Sequence, residues 1–313
     1  MPASSPRPLD DVDRALVARL QTNGRTPAAA LARDLRIDQR TVARRVQGLL
    51  DDGIIRIAAV TDPRFLGYTS MALVCMSLKS LDPARVYEEV ARIPEVDYVS
   101  VTTGRFALQA EVMCADDEEL RRVLRDTFRR IRDIDSMEVL YYLRLHFQRA
   151  WFTEGGSRSL AGIRPLELDD TDRALVAALA GDGRLTFEAL ATRLGISETT
   201  IRLRYNALNA SGAMRVVAIA NPLHIGFAAA CWVAITTTPA GRVTEVAESL
   251  TAIDEVSYVA ITAGSIDIIA EVVCRNHEHL IALMDSRIRP IDGVERAEVW
   301  MYLDLEYKPL LPR

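Results

Sequence analysis

The chain writes one sequence twice, and this repetition constrains the fold more than any other feature. Leu9-Asp-Asp-Val-Asp-Arg-Ala-Leu-Val17 returns as Leu168-Asp-Asp-Thr-Asp-Arg-Ala-Leu-Val176, an offset of 159. The same offset carries Gly24-Arg25 onto Gly183-Arg184, Gly53 onto Gly212, Arg56 onto Arg215 and Pro63 onto Pro222. Farther on it becomes 160, taking Gly104 to Gly264, Glu111-Val112 to Glu271-Val272, Cys114 to Cys274 and Tyr142-Leu143 to Tyr302-Leu303. A fold open to one half must be open to the other, and 313 residues suffice for two such modules, each with its own core.

Each copy divides by its hydrophobic period. Helical spacing recurs near 10–22, 27–34 and 39–51, and a β-rich stretch follows at 54–60. Only Arg36 to Asp38 separate the second and third helices; Asp38 stands at an N-cap, and Gly53 follows the last apolar position. Helix, tight turn, helix and a short strand pair make a winged helix. From Thr69 the pattern becomes strand 71–78, helix 83–93, strands 98–102 and 106–114, helix 116–131 and strand 137–147. The order βαββαβ predicts a four-stranded antiparallel sheet with both helices on one face, its other face covered by a partner sheet. The fold class is α+β: two copies of a winged helix-turn-helix followed by a ferredoxin-like βαββαβ domain. The expected boundaries are 1–67, 68–150, 168–226 and 227–313, with a Gly/Ser/Pro-containing linker at 151–167. Trp151 and Phe152 at its start are expected to pack on the first copy.

On a wheel of about 100° per residue, Val42, Val46 and Leu49 point one way and Arg40, Arg44 and Gln47 the other, with Arg45 on the flank. Arginine suits phosphate oxygens and the guanine O6/N7 edge, and glutamine reads adenine, which are the donors a major-groove helix needs. A solvated basic face is the alternative. The candidate DNA contacts are Gln39, Arg40, Thr41, Arg44, Arg45 and Gln47, with Arg25 and Arg56 on phosphates. Arg25 and Arg56 recur as Arg184 and Arg215, which suits phosphate contact and fold-wide salt bridges equally. In the second copy the outward face becomes Thr199, Leu203 and Asn206, and the cations that remain are Arg202 and Arg204, so this helix is the poorer reader. Leu203 either faces outward or, with the wheel rotated by roughly 40°, packs on a neighbouring helix.

A net charge of −5 argues against indiscriminate polyanion binding, so any nucleic-acid contact must be local. No run of about 20 apolar residues exists and the first residues lack an apolar core, so no membrane association and a cytoplasmic address are expected. Cys75, Cys114, Cys231 and Cys274 sit in apolar runs without paired spacing and read as small core residues. His277 and His279 are two apart and do not converge on one ion, while His146 and His224 read as packing or surface groups. The clusters Asp10, Asp11, Asp13 and Asp169, Asp170, Asp172 open helices, where negative charge complements the dipole. No cofactor and no metal are expected, and no Gly-rich phosphate loop or nucleophile elbow appears.

An N-terminal Leu-Asp-x-x-Asp helix, a helix-turn-helix with Gly-Ile-Ile-Arg after it, and a βαββαβ domain carrying Thr-Gly or Ala-Gly before its third strand together resemble the Lrp/AsnC transcription regulators. The resemblance covers nearly the whole chain, once per copy. It implies sequence-specific binding of double-stranded DNA, a small effector of the amino-acid class, and homo-oligomers built through the sheet domains. Family members resemble single-module chains, so the sheet domains of this fused chain should pair as a built-in pseudo-dimer. Thr262-Ala-Gly-Ser-Ile-Asp267 matches the family's Gly-x-x-Asp turn, which by resemblance lines the effector pocket; the corresponding stretch Thr102-Thr-Gly-Arg-Phe-Ala107 has alanine in place of the carboxylate. The resemblance thus points to Thr103, Gly104, Arg105, Thr262, Gly264, Ser265 and Asp267, with Asp267 suited to an ammonium and Arg105 to a carboxylate or phosphate. Both glycines equally suit a tight turn with nothing bound. Siroheme decarboxylases resemble the same modules, and a tetrapyrrole enzyme could draft His146 and Arg105, leaving Arg40 and Arg44 without a purpose. A metabolite-binding module that has lost DNA binding is a third class.

Overall fold

The computed structural model describes residues 8–79, 82–148 and 168–308. The first copy runs α1 (Asp11–Thr22), α2 (Ala28–Leu35), α3 (Gln39–Asp51), β1 (Ile55–Val60), β2 (Ser70–Leu78), α4 (Ala84–Ala91), β3 (Val96–Thr102), β4 (Leu108–Cys114), α5 (Asp117–Asp126) and β5 (Ile134–Gln148). The second repeats this order as α6 (Asp170–Gly181), α7 (Phe187–Leu194), α8 (Glu198–Ala210), β6 (Arg215–Ala220), β7 (Ala229–Thr237), α9 (Val243–Thr251), β8 (Val256–Ala263), β9 (Ile268–Cys274), α10 (His277–Leu283) and β10 (Val294–Tyr307). The stretch 151–167, with Trp151 and Phe152, and the side chain of His146 lie outside the described residues. Two compact units result: residues 8–67 with 168–226, and residues 68–148 with 227–308.

In the first unit the helix starts follow from the caps. Asp10, Asp38 and Asp169 each accept the N–H three residues on at 2.8 Å, and Thr186 and Ser197 do so at 3.1 Å. The turn into α3 is made by Arg36 at φ +55°, where the second copy places Gly195 at φ +68°. Leu16, Leu20, Leu31, Val42 and Leu49 close the first three-helix core, and Leu175, Leu179, Leu190, Ile201 and Leu208 the second.

The expected wing departs from the observed one. Each copy supplies a single strand, and β1 pairs antiparallel with β6, Ile55 facing Ala220 and Val60 facing Arg215. A lone six-residue strand leaves its N–H and C=O groups unpaired, and here the other copy satisfies them. Ala58 faces Val217, its own duplicate, so a local two-fold passes between these two residues. The turn after each first helix docks on this ribbon: Gly24 N–H donates to Val216 O and Gly183 N–H to Ile57 O, both at 2.8 Å.

In the second unit each copy folds its four strands with the first and third central, β3-β4-β2-β5 and β8-β9-β7-β10, and the two sheets join edge to edge into a closed eight-stranded barrel. The two seams are duplicates: Tyr142 faces Thr262 across β5 and β8, and Tyr302 faces Thr102 across β10 and β3. Alternate residues of each strand pack beneath the helices, among them Ala72, Val74, Val99, Leu108 and Val112 in one copy and Cys231, Val233, Val259, Ile268 and Val272 in the other. The opposite faces turn toward each other, so the sheet faces cover one another within one chain. Among the described residues no helix is long and apolar enough to cross a membrane, and no cluster of three or more His, Cys, Asp or Glu could hold a metal. All four cysteines are buried free thiols, with burial pushing Cys274 up to about 12.

Candidate nucleic-acid interface and effector region

Burial of Val42, Val46 and Leu49 fixes the rotation of α3 and leaves Arg40, Arg44 and Gln47 exposed, with Gln39 beside them and Thr41 half-buried. Arg40 and Arg44 have no ion-pair partner among the described residues. Gln47 donates from Nε2 to Asp51 Oδ1 at 2.8 Å, which lays its amide along the helix.

The other cations of the expected interface are engaged within the protein. Arg45, on the flank of the wheel, turns inward and pairs with Asp10 at 2.7 Å and with Asp13 at 2.9 Å. The Asp13 side chain is fully buried, so Arg45 neutralises a charge that water cannot reach. Arg204 repeats the arrangement with Asp169 at 2.7 Å and Asp172 at 2.9 Å. The helix-opening aspartates therefore cap and pair at once. Asp10 is held below the usual carboxylate range by the Asp13 backbone N–H and by Arg45. Arg202 donates to Glu198 at 3.0 Å and lies 4.6 Å from the Phe187 ring centroid.

Arg25 and Arg56 cross to the other copy. Arg25 donates to Gly183 O at 2.7 Å and stacks over Phe187 and Tyr205, 4.9 and 5.4 Å from their centroids. Arg56 donates to Ala180 O at 3.3 Å, and burial lowers its pKa. Neither forms a salt bridge among the described residues; both join the helix-turn-helix pair. The reason is local: the β1–β6 ribbon brings the start of each strand, and the turn docked on it, against the opposite copy.

On α8, Ile201 and Leu208 are buried, and Thr199, Leu203 and Asn206 are exposed. Leu203 is 67% exposed, one of four large apolar side chains so placed among the described residues. It does not pack on a neighbouring helix.

In the barrel, the residues around the two Gly turns are held by one another. Asp267 Oδ2 accepts from Thr237 N and Oγ1 at 2.7 and 2.9 Å. Thr262 donates to Ile266 O; across the β10–β3 seam Thr103 N–H donates to Met301 O at 2.9 Å and Met301 N–H donates to Thr103 Oγ1 at 3.2 Å. Gly104 has φ +96° and lies against Trp300, while a β-carbon on Gly264 would come within 2.8 Å of Leu140. Arg105 pairs with Glu138 at 3.0 Å, and Ser265 from the other copy donates to the same carboxylate. Asp267 and Arg105, expected to hold an effector's charges, thus already have protein partners; the acid closes the end of β7, and the cation ties its loop to Glu138 of β5, which also holds Ser265 of the β8–β9 loop.

Sequence reasoning missed the barrel interior. Glu111 and Glu271 are duplicates, only 5% and 6% exposed. Glu111 accepts from Tyr142 at 2.9 Å and from Tyr258 of the other sheet; Glu271 accepts from Tyr302 and Tyr307 at 3.0 Å and from Ser257. Burial raises both pKa values against these hydroxyl donors. Where the second copy has Ser257, the first has Asp97, whose carboxyl is driven well up by burial and by the Glu111 charge. The available signal was a mid-strand carboxylate with apolar residues on both sides, Ala110-Glu111-Val112 and Ala270-Glu271-Val272.

The Lrp/AsnC ligand binding domain matches residues 71–152 and 230–308, and the AsnC-type helix-turn-helix domain residues 9–50 and 168–209. An uncharacterized HTH-type transcriptional regulator, PH0140 of Pyrococcus horikoshii, is 32% identical over 140 residues, 44% of this chain and 89% of its own length. The HTH-type transcriptional regulator FL11 of Pyrococcus abyssi is 31% identical over 139 residues, again 44% of this chain and 91% of its own. The siroheme decarboxylase NirDL superposes with a TM-score of 0.61 over 96% of this chain and 94% of its own, at 19% identity, a likeness of fold alone.

Proposed function

The chain belongs to the Lrp/AsnC family, with both family domains present twice, and from that premise we propose that it is a DNA-binding transcriptional regulator whose principal reader is α3. The observation that carries this reading is the state of two residues. Arg40 and Arg44 stand exposed on α3, while Arg25, Arg45, Arg56, Arg202 and Arg204 are engaged inside the helix-turn-helix unit. A guanidinium left free on a helix whose other face is core is placed to meet guanine O6/N7 or phosphate. Gln39 and Thr41, in the first turn of α3, are positioned for backbone contacts. The ribbon gives a single chain two such helices about one local two-fold, the arrangement that matches an inverted repeat.

The barrel is the seat of regulation in this reading. A small metabolite bearing a carboxylate would exchange with Glu138 for Arg105, freeing the Arg105 loop from the strand residue that also holds Ser265. Association of chains through the barrels would then change with the ligand.

The test is binding to fragments of the gene's own upstream region across a salt series, wild type against Arg40→Ala/Arg44→Ala. A sequence-preferring affinity that falls steeply with salt, and is lost in the double variant, is expected. Equal affinity for bulk DNA, unchanged by the variant, would overturn the proposal; a Soret band retained by the protein after purification with a tetrapyrrole would then point to a tetrapyrrole enzyme.

A further inference from the structure

The second reading helix keeps its place in the fold but presents a different chemistry. About the local two-fold between Ala58 and Val217, α8 is the counterpart of α3, and Arg40, Arg44 and Gln47 correspond to Thr199, Leu203 and Asn206. All three replacements are exposed, and none is charged. The arginines that α8 does carry are drawn off its face, Arg202 onto Glu198 and Phe187 and Arg204 onto Asp169 and Asp172. The outcome is a hydroxyl, an isobutyl group and an amide in the positions where α3 offers two guanidinium groups and an amide.

Each of these groups has a base that suits it. An amide bonds bidentately with adenine N6/N7, a threonine hydroxyl accepts either edge, and an apolar side chain meets the one apolar group of the major groove, the thymine C5-methyl. A leucine 67% exposed beside a guanine edge would leave acceptors unpaired, whereas beside a thymine it buries methyl against methyl.

Building on the regulator reading, we infer that one chain recognises an inverted repeat with chemically unlike halves, a guanine-containing half under α3 and an A·T-only half under α8, with Leu203 as the residue that specifies thymine in the second. The local symmetry fixes where the two halves lie and the side chains make them differ.

The test begins by selecting a binding site from random duplexes with the full-length wild-type chain. Each thymine of the selected site is then replaced singly by deoxyuridine, which removes the methyl and leaves the hydrogen-bonding edge intact. One such replacement, in the A·T half only, is expected to weaken wild-type binding about fourfold, the effect of one buried methyl. Leu203→Ala, at an exposed position that leaves the core untouched, should bind thymine and deoxyuridine versions equally, while Arg44→Ala keeps the penalty on its weaker binding. A selected site at which no replacement matters, or at which Leu203→Ala retains the penalty, overturns the assignment and leaves the regulator reading standing. Failure to select any site overturns both.

Discussion

The Arg25 guanidinium lies over the Phe187 ring, 4.9 Å from its centroid, while its hydrogen bond at 2.7 Å reaches the Gly183 carbonyl, so one side chain of the first copy is seated wholly on the second. The reverse contact does not exist, because Ala28 and Val46 stand where the second copy has Phe187 and Tyr205, and Arg184 is exposed. Arg25→Ala should therefore lower thermal stability by about 1–2 kcal/mol, from the lost cation–π and carbonyl contacts. Arg184→Ala should stay within about 0.5 kcal/mol of wild type. Equal losses in the two variants would contradict a one-sided contact.

Arg45 and Asp13 form the next test. Removing the cation leaves a buried carboxylate uncompensated, and Arg45→Ala is expected to lower stability by about 2 kcal/mol, somewhat under the range for a fully buried pair. Adding Asp13→Asn should recover part of that loss, a coupling that a chemical denaturation double-mutant cycle measures. Arg204→Ala should cost less, since Asp172 is partly reached by solvent where Asp13 is not.

Gly24 and Gly183 tolerate no side chain. A β-carbon on Gly24 would lie 2.7 Å from Ile57 Cγ2 and 3.1 Å from the Val217 backbone; on Gly183 it would lie 2.6 Å from Val216 Cγ1 and 3.0 Å from Ala58 N. Backbone cannot swing aside as a long side chain does, so Gly24→Ala and Gly183→Ala should each cost about 2–3 kcal/mol in a urea melt. Gly48, with nothing near its β-position, is the control and should gain or stay level as alanine.

The barrel carboxyls predict a pH dependence of definite sign. Burial raises Glu111, Glu271 and Asp97 in the folded state, so between the unfolded and folded pKa values the native chain binds more protons than the unfolded chain. Their effect is a loss of stability as pH rises from the ordinary carboxylate range through the folded values, and a plateau above. Glu111→Gln and Glu271→Gln should flatten that slope and raise stability at pH 8 by about 1 kcal/mol or more each. Asp97→Ser, which copies the solution at Ser257, should flatten it too. Denaturation midpoints measured from pH 5 to 9 decide the matter.

The helical elements were legible because capping and periodicity act over a few residues: Asp38, Val42, Val46 and Leu49 are enough to set α3 and its exposed face. The partner of β1 was not legible, since a largely apolar six-residue strand such as Ile55–Val60 carries a demand for pairing but no address for it. The arginines divide along the same line. Arg40 and Arg44 are read from the wheel, whereas the inward turn of Arg45 depends on Asp10 and Asp13, some thirty residues upstream, and the seat of Arg25 depends on Phe187 in the other copy. Glu111 looked like a marker of the repeat because its hydroxyl partners, Tyr142 and Tyr258, belong to strands that meet only when the barrel closes.

The residue pair at the centre of the ribbon has a further consequence. Where identical chains meet at a two-fold, the side chain on the axis faces its own copy, so the space there can be filled only by a matched couple, two alanines or two valines. Here Ala58 faces Val217, both buried, and together they fill a volume midway between those of two alanines and two valines. Covalent joining has lifted the requirement of self-complementarity at the place where it is strictest, so one chain can be tuned in steps half the size of those open to a pair of identical chains.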